Sequence, residues 1–208
     1  DKAIDLLASR SKFSGQRLNR EAALLFKSRV ALYEGTFEKY HRNSGRVPGD
    51  SEWPGANADY NSGKIFGIDG EIEFFLTEAI AAAEEVAGTA QLTSNNHVIE
   101  PTVGVTTGWN PYFEMYSQPS LANVTEVLLW KEYNSELSVK HNAPYRCKIG
   151  CADGYTRTFV EAFLMKNGLP IYAENSGYQG DTSIDNAKKD RDERLQLFVW
   201  GESTILDT

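Results

Sequence analysis

Apolar residues return at alternating three- and four-residue steps over residues 20 to 40, at Ala23, Phe26, Val30, Tyr33, Phe37 and Tyr40. That period places them on one face of an α-helix. Ala22, Leu25 and Leu32 widen the stripe, which predicts packing against more than one neighbour. Gly35 would cost a helix interior up to about 1 kcal/mol relative to Ala, so it reads as a mark of the last turn. A second stripe, Ile72, Phe75, Leu76, Ala79, Ile80, Ala83 and Val86, predicts a helix over 70–87. Asp69 offers its N-cap and Gly88 its stop, and the alanines of "AIAAAEEVAG" allow a neighbouring helix to come close. Residues 1 to 8, with Ile4, Leu7 and Ala8 on one side, read as the tail of an earlier helix. The chain is therefore expected to be a piece of a longer protein.

Between the two long helices lies "RNSGRVPGDSEWPGANADYNSGK", whose Gly, Pro, Asn and Asp content forbids regular structure. Loops this long in a compact domain are usually functional or disordered. Trp53 argues for order, because a disordered linker rarely carries a Trp. After residue 90 the pattern changes. "TEVLLWKEYN" (125–134) alternates like a strand, with Val127, Leu129 and Lys131 on one side and Leu128, Trp130 and Glu132 on the other. Residues 135–152 read as irregular. A short helix is expected over 156–166, with Thr158 and Glu161 at capping-box spacing and Asn167-Gly168 closing it. An apolar run from Leu195 to Trp200 follows a charged turn. The predicted fold class is mainly α. Residues 1–90 form a helical-repeat portion with an inserted loop at 41–69, and 91–208 a loop-rich portion packing on the repeats as part of one continuous domain.

The composition, 41% hydrophobic and 24% charged, is that of a soluble globular protein, and no apolar run reaches the ~18 residues of a membrane span. A net charge of −8 argues against nucleic acid as a partner. Cys147 and Cys151 in "CKIGC" make a poor zinc signal, and a local disulfide and two free thiols are equally open. His41, His97 and His141 lack ligand spacing. "NSGKI" (61–65) has Ala58 where a phosphate loop needs Gly, and "DTSID" (181–185) is followed by Asn186 where a calcium loop needs one. "NVT" (123–125) is a formal N-glycosylation site. No cofactor or metal is expected, and nothing separates a catalytic carboxylate pair from the solvated acidic background.

The aromatic residues carry more. Trp53, Trp109, Tyr112, Tyr145, Tyr155 and Tyr178 fall in stretches read as loops. A ring on a loop more often pins it to the core, and less often offers a flat apolar face to a ligand. Sugar rings suit that second use, provided Asn, Asp, Gln or Arg groups stand beside the ring to meet the hydroxyls. "GWNPYFEMY" (108–116) and "HNAPYRCKIGCADGY" (141–155) both mix the two residue types.

"EAALLFKSRVALYEGTFEKYH", "EVLLWKEYN", "FVEAFLMKNGLPI" and "KDRDERL" occur in that order. Together they resemble the SusD/RagB family of surface-exposed glycan-binding lipoproteins of Bacteroidetes outer membranes. The resemblance implies a scaffold of tetratricopeptide-like helical hairpins with long loops and an irregular segment containing a few short strands. The helices over 20–40 and 70–87 would then form one repeat, and 41–69 an insertion. It also implies non-catalytic capture of oligosaccharide or polysaccharide at the cell surface and delivery to a TonB-dependent, SusC-like transporter, with the membrane reached only through a lipid anchor outside this chain. The family's ligand face often includes the region between the second and third motifs. That points to Tyr145, Arg146 and Tyr155, with Asn142 and Asp153 as hydroxyl partners, and next to Trp109 and Tyr112. Trp130 is expected in the core. The second hypothesis is a helical-repeat module that binds protein and no sugar.

Overall fold

The structure, a computed structural model, describes residues 1–149 and 154–204. Asp153 lies outside the described residues, and so does the question of a Cys147–Cys151 bond. Two compact units divide the chain, one of Asp1–Leu92 with Ser120–Lys131, the other of Thr93–Pro119 with the chain from Glu132 onward. The fold is mainly helical, and the described residues contain no sheet.

The first unit is built on α2 (Arg20–Tyr40) and α3 (Ile68–Ala87), preceded by the short α1 (Lys2–Leu6). Asn19 starts α2. Its Oδ1 accepts from the Ala22 N–H at 2.9 Å, while its Nδ2 donates to the Leu128 carbonyl at 2.8 Å. One buried side chain thus caps a helix and ties down a distant segment. Ile4, Leu24, Ala82, Val86 and Leu128 form the core cluster. Lys27–Glu78 and Arg20–Glu85 ion pairs join α2 and α3 at the surface.

The face of α2 that meets α3 is not the apolar stripe. Leu24, Ala31, Gly35 and Glu38 are buried, whereas Phe26, Val30, Tyr33 and Tyr40 are exposed. Gly35 is correspondingly no end signal: it sits within α2, against Leu76 and Phe75 of α3. Gly35 leaves room there for the Leu76 side chain, and the small Ala79 and Ala82 of α3 are both buried. Ile80 of the predicted α3 stripe is exposed as well. Gly67, not Asp69, is the N-cap of α3. Asp69 lies in the first turn, where its carboxylate pairs with Arg42 and complements the positive helix end.

The loop between these helices is ordered by its own polar groups. The Asp50 carboxylate accepts from the N–H groups of Asn43, Ser44 and Gly45 at 3.0–3.1 Å. Val47 is fully buried, and short 3₁₀ turns occupy Pro54–Asn57 and Asp59–Asn61. Trp53 lies over Gly55 and meets Phe66 edge-on at 5.0 Å, so this ring pins its loop.

"TEVLLWKEYN" buries Leu128 and Trp130 and exposes Leu129, the alternation expected, but it forms no strand: Thr125 and Glu126 lie in a turn, Leu129 in a bend, and only Asn134 makes an isolated bridge. The carbonyls of Val127 and Leu128 accept from the Arg10 and Asn19 side chains instead. The Arg10 guanidinium reaches the carbonyls of Leu121, Val124 and Val127 at 2.8–3.1 Å, and the Trp130 indole donates to Ser14 at 2.7 Å. Trp130 is core, as expected.

Among the described residues the second unit carries five short helices: α4 (Pro111–Met115), α5 (Ala143–Ile149), α6 (Arg157–Glu161), α7 (Ile184–Lys188) and α8 (Glu193–Phe198). α5 falls in a stretch read as irregular. α6 is shorter than expected and is capped by Thr156, whose Oγ1 accepts from the Phe159 N–H at 3.3 Å. The helix ends because the next residues pair elsewhere: Met165 bridges to Arg191, the Lys166 N–H donates to Asp190 and the Asp192 N–H to Leu164. Arg191, fully buried, gathers three carbonyls, those of Val160 (2.7 Å), Phe163 (2.8 Å) and Ala187 (2.9 Å). With Asn134–Val139 this gives two isolated bridges among the described residues, where short strands were expected.

Candidate functional site

The second unit holds an aromatic pocket of about 300 Å³ on one face of its small core. α4 supplies Tyr112 and the residue after it, Tyr116. "WNP" is a helix start: Pro111 takes the first helical position, and Asn110 accepts from the Phe113 N–H at 3.0 Å. Asn110 is fully buried, and its Nδ2 donates to Asn95 Oδ1 at 3.0 Å and the Val98 carbonyl at 2.8 Å. Those three bonds fix the start of the helix that carries Tyr112.

α6 and its flanks supply a second wall. Tyr155 and Phe159 stack at 5.2 Å with planes 25° apart, and Phe163 meets Phe159 edge-on at 5.3 Å. Both Phe159 and Tyr155 keep about half of their surface in solvent. The floor comes from α8. Phe198 meets Tyr116 edge-on at 5.1 Å and stacks on Phe113 at 5.6 Å. Behind Phe113 lies Trp109 at 4.7 Å. The half-buried Trp109 ring therefore supports the pocket from behind.

Arg194 is the one cation among the described residues lining the pocket. Its guanidinium stands 5.9 Å over the Phe163 ring and is held by the Asp192 carboxylate through Nε (2.9 Å) and Nη2 (2.6 Å). The side-chain hydrogen bond raises the guanidinium pKa and lowers that of the carboxyl, so both stay charged. On the neighbouring residue, Glu193 accepts from Asn95 Nδ2 at 2.7 Å and faces His97 Nδ1 at 2.8 Å. The His97 contact chiefly holds the Glu193 carboxyl below its usual range.

Of the sequence candidates, Tyr112 and Tyr155 converge on this pocket and Trp109 backs it. Tyr145 and Arg146 are exposed on α5, with the carbonyl of Asn142 just before it accepting from the Arg146 N–H at 3.1 Å. Tyr145 is 59% exposed. None of these three lines the pocket, and Asp153 lies outside the described residues. Tyr178 belongs to a different cluster, stacking on the buried Arg191 and donating to Asp181. Sequence reasoning missed Tyr116, Phe159, Phe163, Arg194 and Phe198. Phe159 and Phe163 stand four residues apart, an (i, i+4) step that could have announced an apolar face turned outward. Phe198 and Arg194 carry no such signal.

Among the described residues no helix is long and apolar enough to cross a membrane, and no three metal-ligating side chains converge. Compared with family models, curated proteins and solved structures, the chain matches none.

Proposed function

We propose that this protein binds oligosaccharide or polysaccharide without transforming it, through the aromatic pocket of the second unit. The observation that carries the reading is the stacked pair Tyr155 and Phe159, facing Tyr112 and Tyr116 across a pocket of about 300 Å³. That volume stands at the lower edge of the ~300–1,000 Å³ usual for ligand sites, and suits one sugar ring better than a folded chain. The flat ring faces take the C–H face of a pyranose, and the tyrosine hydroxyls and Arg194 meet its hydroxyls. Each such contact is weak, so short sugars bind loosely and polymers gain by multivalency.

Surface display on an outer membrane and hand-over to a TonB-dependent, SusC-like transporter belong to the same proposal and rest on the family resemblance of the sequence. So does the reading of α2 and α3 as one tetratricopeptide-like repeat. Affinity electrophoresis in gels cast with plant, microbial and host polysaccharides tests the binding. Retardation by one polymer, relieved by Tyr155→Ala or Tyr112→Ala and without release of reducing sugar, is the expected result. Tyr155 is 57% exposed, so its loss leaves the core intact.

A second reading, a helical-repeat module that binds protein, is favoured by one observation. The stripe Phe26, Val30, Tyr33 and Tyr40 on α2 is exposed, and contiguous apolar surface marks interaction sites. Unretarded migration in every gel, with a bound protein lost on Phe26→Asp, would select it.

A further inference from the structure

The pocket's polar equipment narrows the class of sugar. Among the described residues its lining offers aromatic rings, the hydroxyls of Tyr112, Tyr116 and Tyr155, which donate and accept, aliphatic side chains and one charged group, the Arg194 guanidinium. A site built for neutral hydroxyls mixes donors with acceptors, since each hydroxyl does both. Here the charged group is a donor only. We infer that the pocket takes an anionic sugar, a pyranose carrying a carboxylate or a sulfate, with its ring on Tyr155 and Phe159 and its anion on Arg194. The inference rests on the glycan reading above.

The Asp192 partner does not exclude this. Asp192 engages Nε and Nη2 and leaves Nη1 for a second acceptor on a five-donor fork. It also fixes the guanidinium plane before the ligand arrives, which lowers the ordering cost of binding. The Arg194 side chain is 61% exposed, so the Asp192–Arg194 pair is itself weak and its cation can be shared. The chain's net charge of −8 repels polyanions in general. Any acidic glycan that binds must therefore do so through local contacts.

The test is calorimetric titration of the whole chain, at low and at physiological salt, with short oligosaccharides of galacturonate, glucuronate and mannuronate. Each is run beside its methyl ester, and a sulfated galactan oligosaccharide separates sulfate from carboxylate. The expected result is binding of at least one acidic sugar, about tenfold weaker for its neutral counterpart, with Arg194→Gln removing that preference. Arg194→Lys keeps the charge but loses the fork, and falls between the two. Equal binding of acid and ester, or a preference unmoved by Arg194→Gln, overturns the inference and leaves glycan binding standing. Binding of no sugar at all, acidic or neutral, overturns both.

Discussion

Gly35 of α2 lies so close to Leu76 of α3 that a methyl group on it would stand 3.1 Å from the Leu76 Cγ and Cδ2. The crossing of the two long helices is set there by the absence of a side chain. Gly35→Ala gains up to about 1 kcal/mol of helix propensity and spends it on that contact, so its effect is near zero. Gly35→Leu cannot be absorbed and destabilises by about 1–3 kcal/mol. Urea unfolding of the two variants, with unchanged m-values, checks the pair.

Glu38, next on the same face, is 1% exposed, and its Oε2 has no hydrogen-bond partner among the described residues. Burial first, then the charges of Glu34 and Glu71, raise its carboxyl from the ordinary 4.5 to about 7. The folded state thus holds a proton that the unfolded chain releases. Below pH 4.5 both states are protonated and the contribution is whole; it is lost as pH rises to about 7, and is flat beyond. The loss is of order 3 kcal/mol. Glu38→Gln removes that slope and stabilises the protein at pH 8, as thermal melts between pH 4.5 and 8 would register. The lowered carboxyls of Asp192 and Glu193 act in the opposite sense, their stabilisation fading only as pH falls below the ordinary carboxylate range.

Arg191 does in the second unit what a strand partner would do in a sheet. Its loss removes the side-chain donor of the Phe163 and Ala187 carbonyls and leaves the Val160 carbonyl with only the long Phe163 N–H contact of 3.3 Å. Arg191→Met therefore costs about 3 kcal/mol or more, and Arg191→Lys recovers little because one ammonium cannot span the three. The walls of the pocket hang from the same carbonyls. The matching observation is faster amide exchange around Phe159–Phe163 in Arg191→Lys.

Asp50 is the analogous hub of the inserted loop. Asp50→Ala frees the N–H groups of Asn43, Ser44 and Gly45. Limited proteolysis should then cut within 42–52 while the α2/α3 pair stays intact.

Helices were readable where period and punctuation agreed. α2, α3 and the buried side of 128–130 appear in the sequence because a 3.6 or a 2.0 repeat needs only neighbouring residues to be seen. α6 was drawn too long because its end is decided by Arg191, some thirty residues away in the chain. Tyr112 and Tyr155 stood out as candidates because rings beside Asn and Gly are visible locally; Arg194 and Phe198 join them only through folding.

The sequence by itself determined that the chain is mainly helical, where its two long helices lie, and that its loops are rich in rings. Which face of α2 is buried was decided by tertiary structure. Gly35 leaves room on α2 for the Leu76 and Phe75 side chains of α3, and Phe26, Val30, Tyr33 and Tyr40 of α2 are left exposed. The pocket was decided the same way, because a concave wall needs residues from α4, α6 and α8 at once, and no local pattern records their distance.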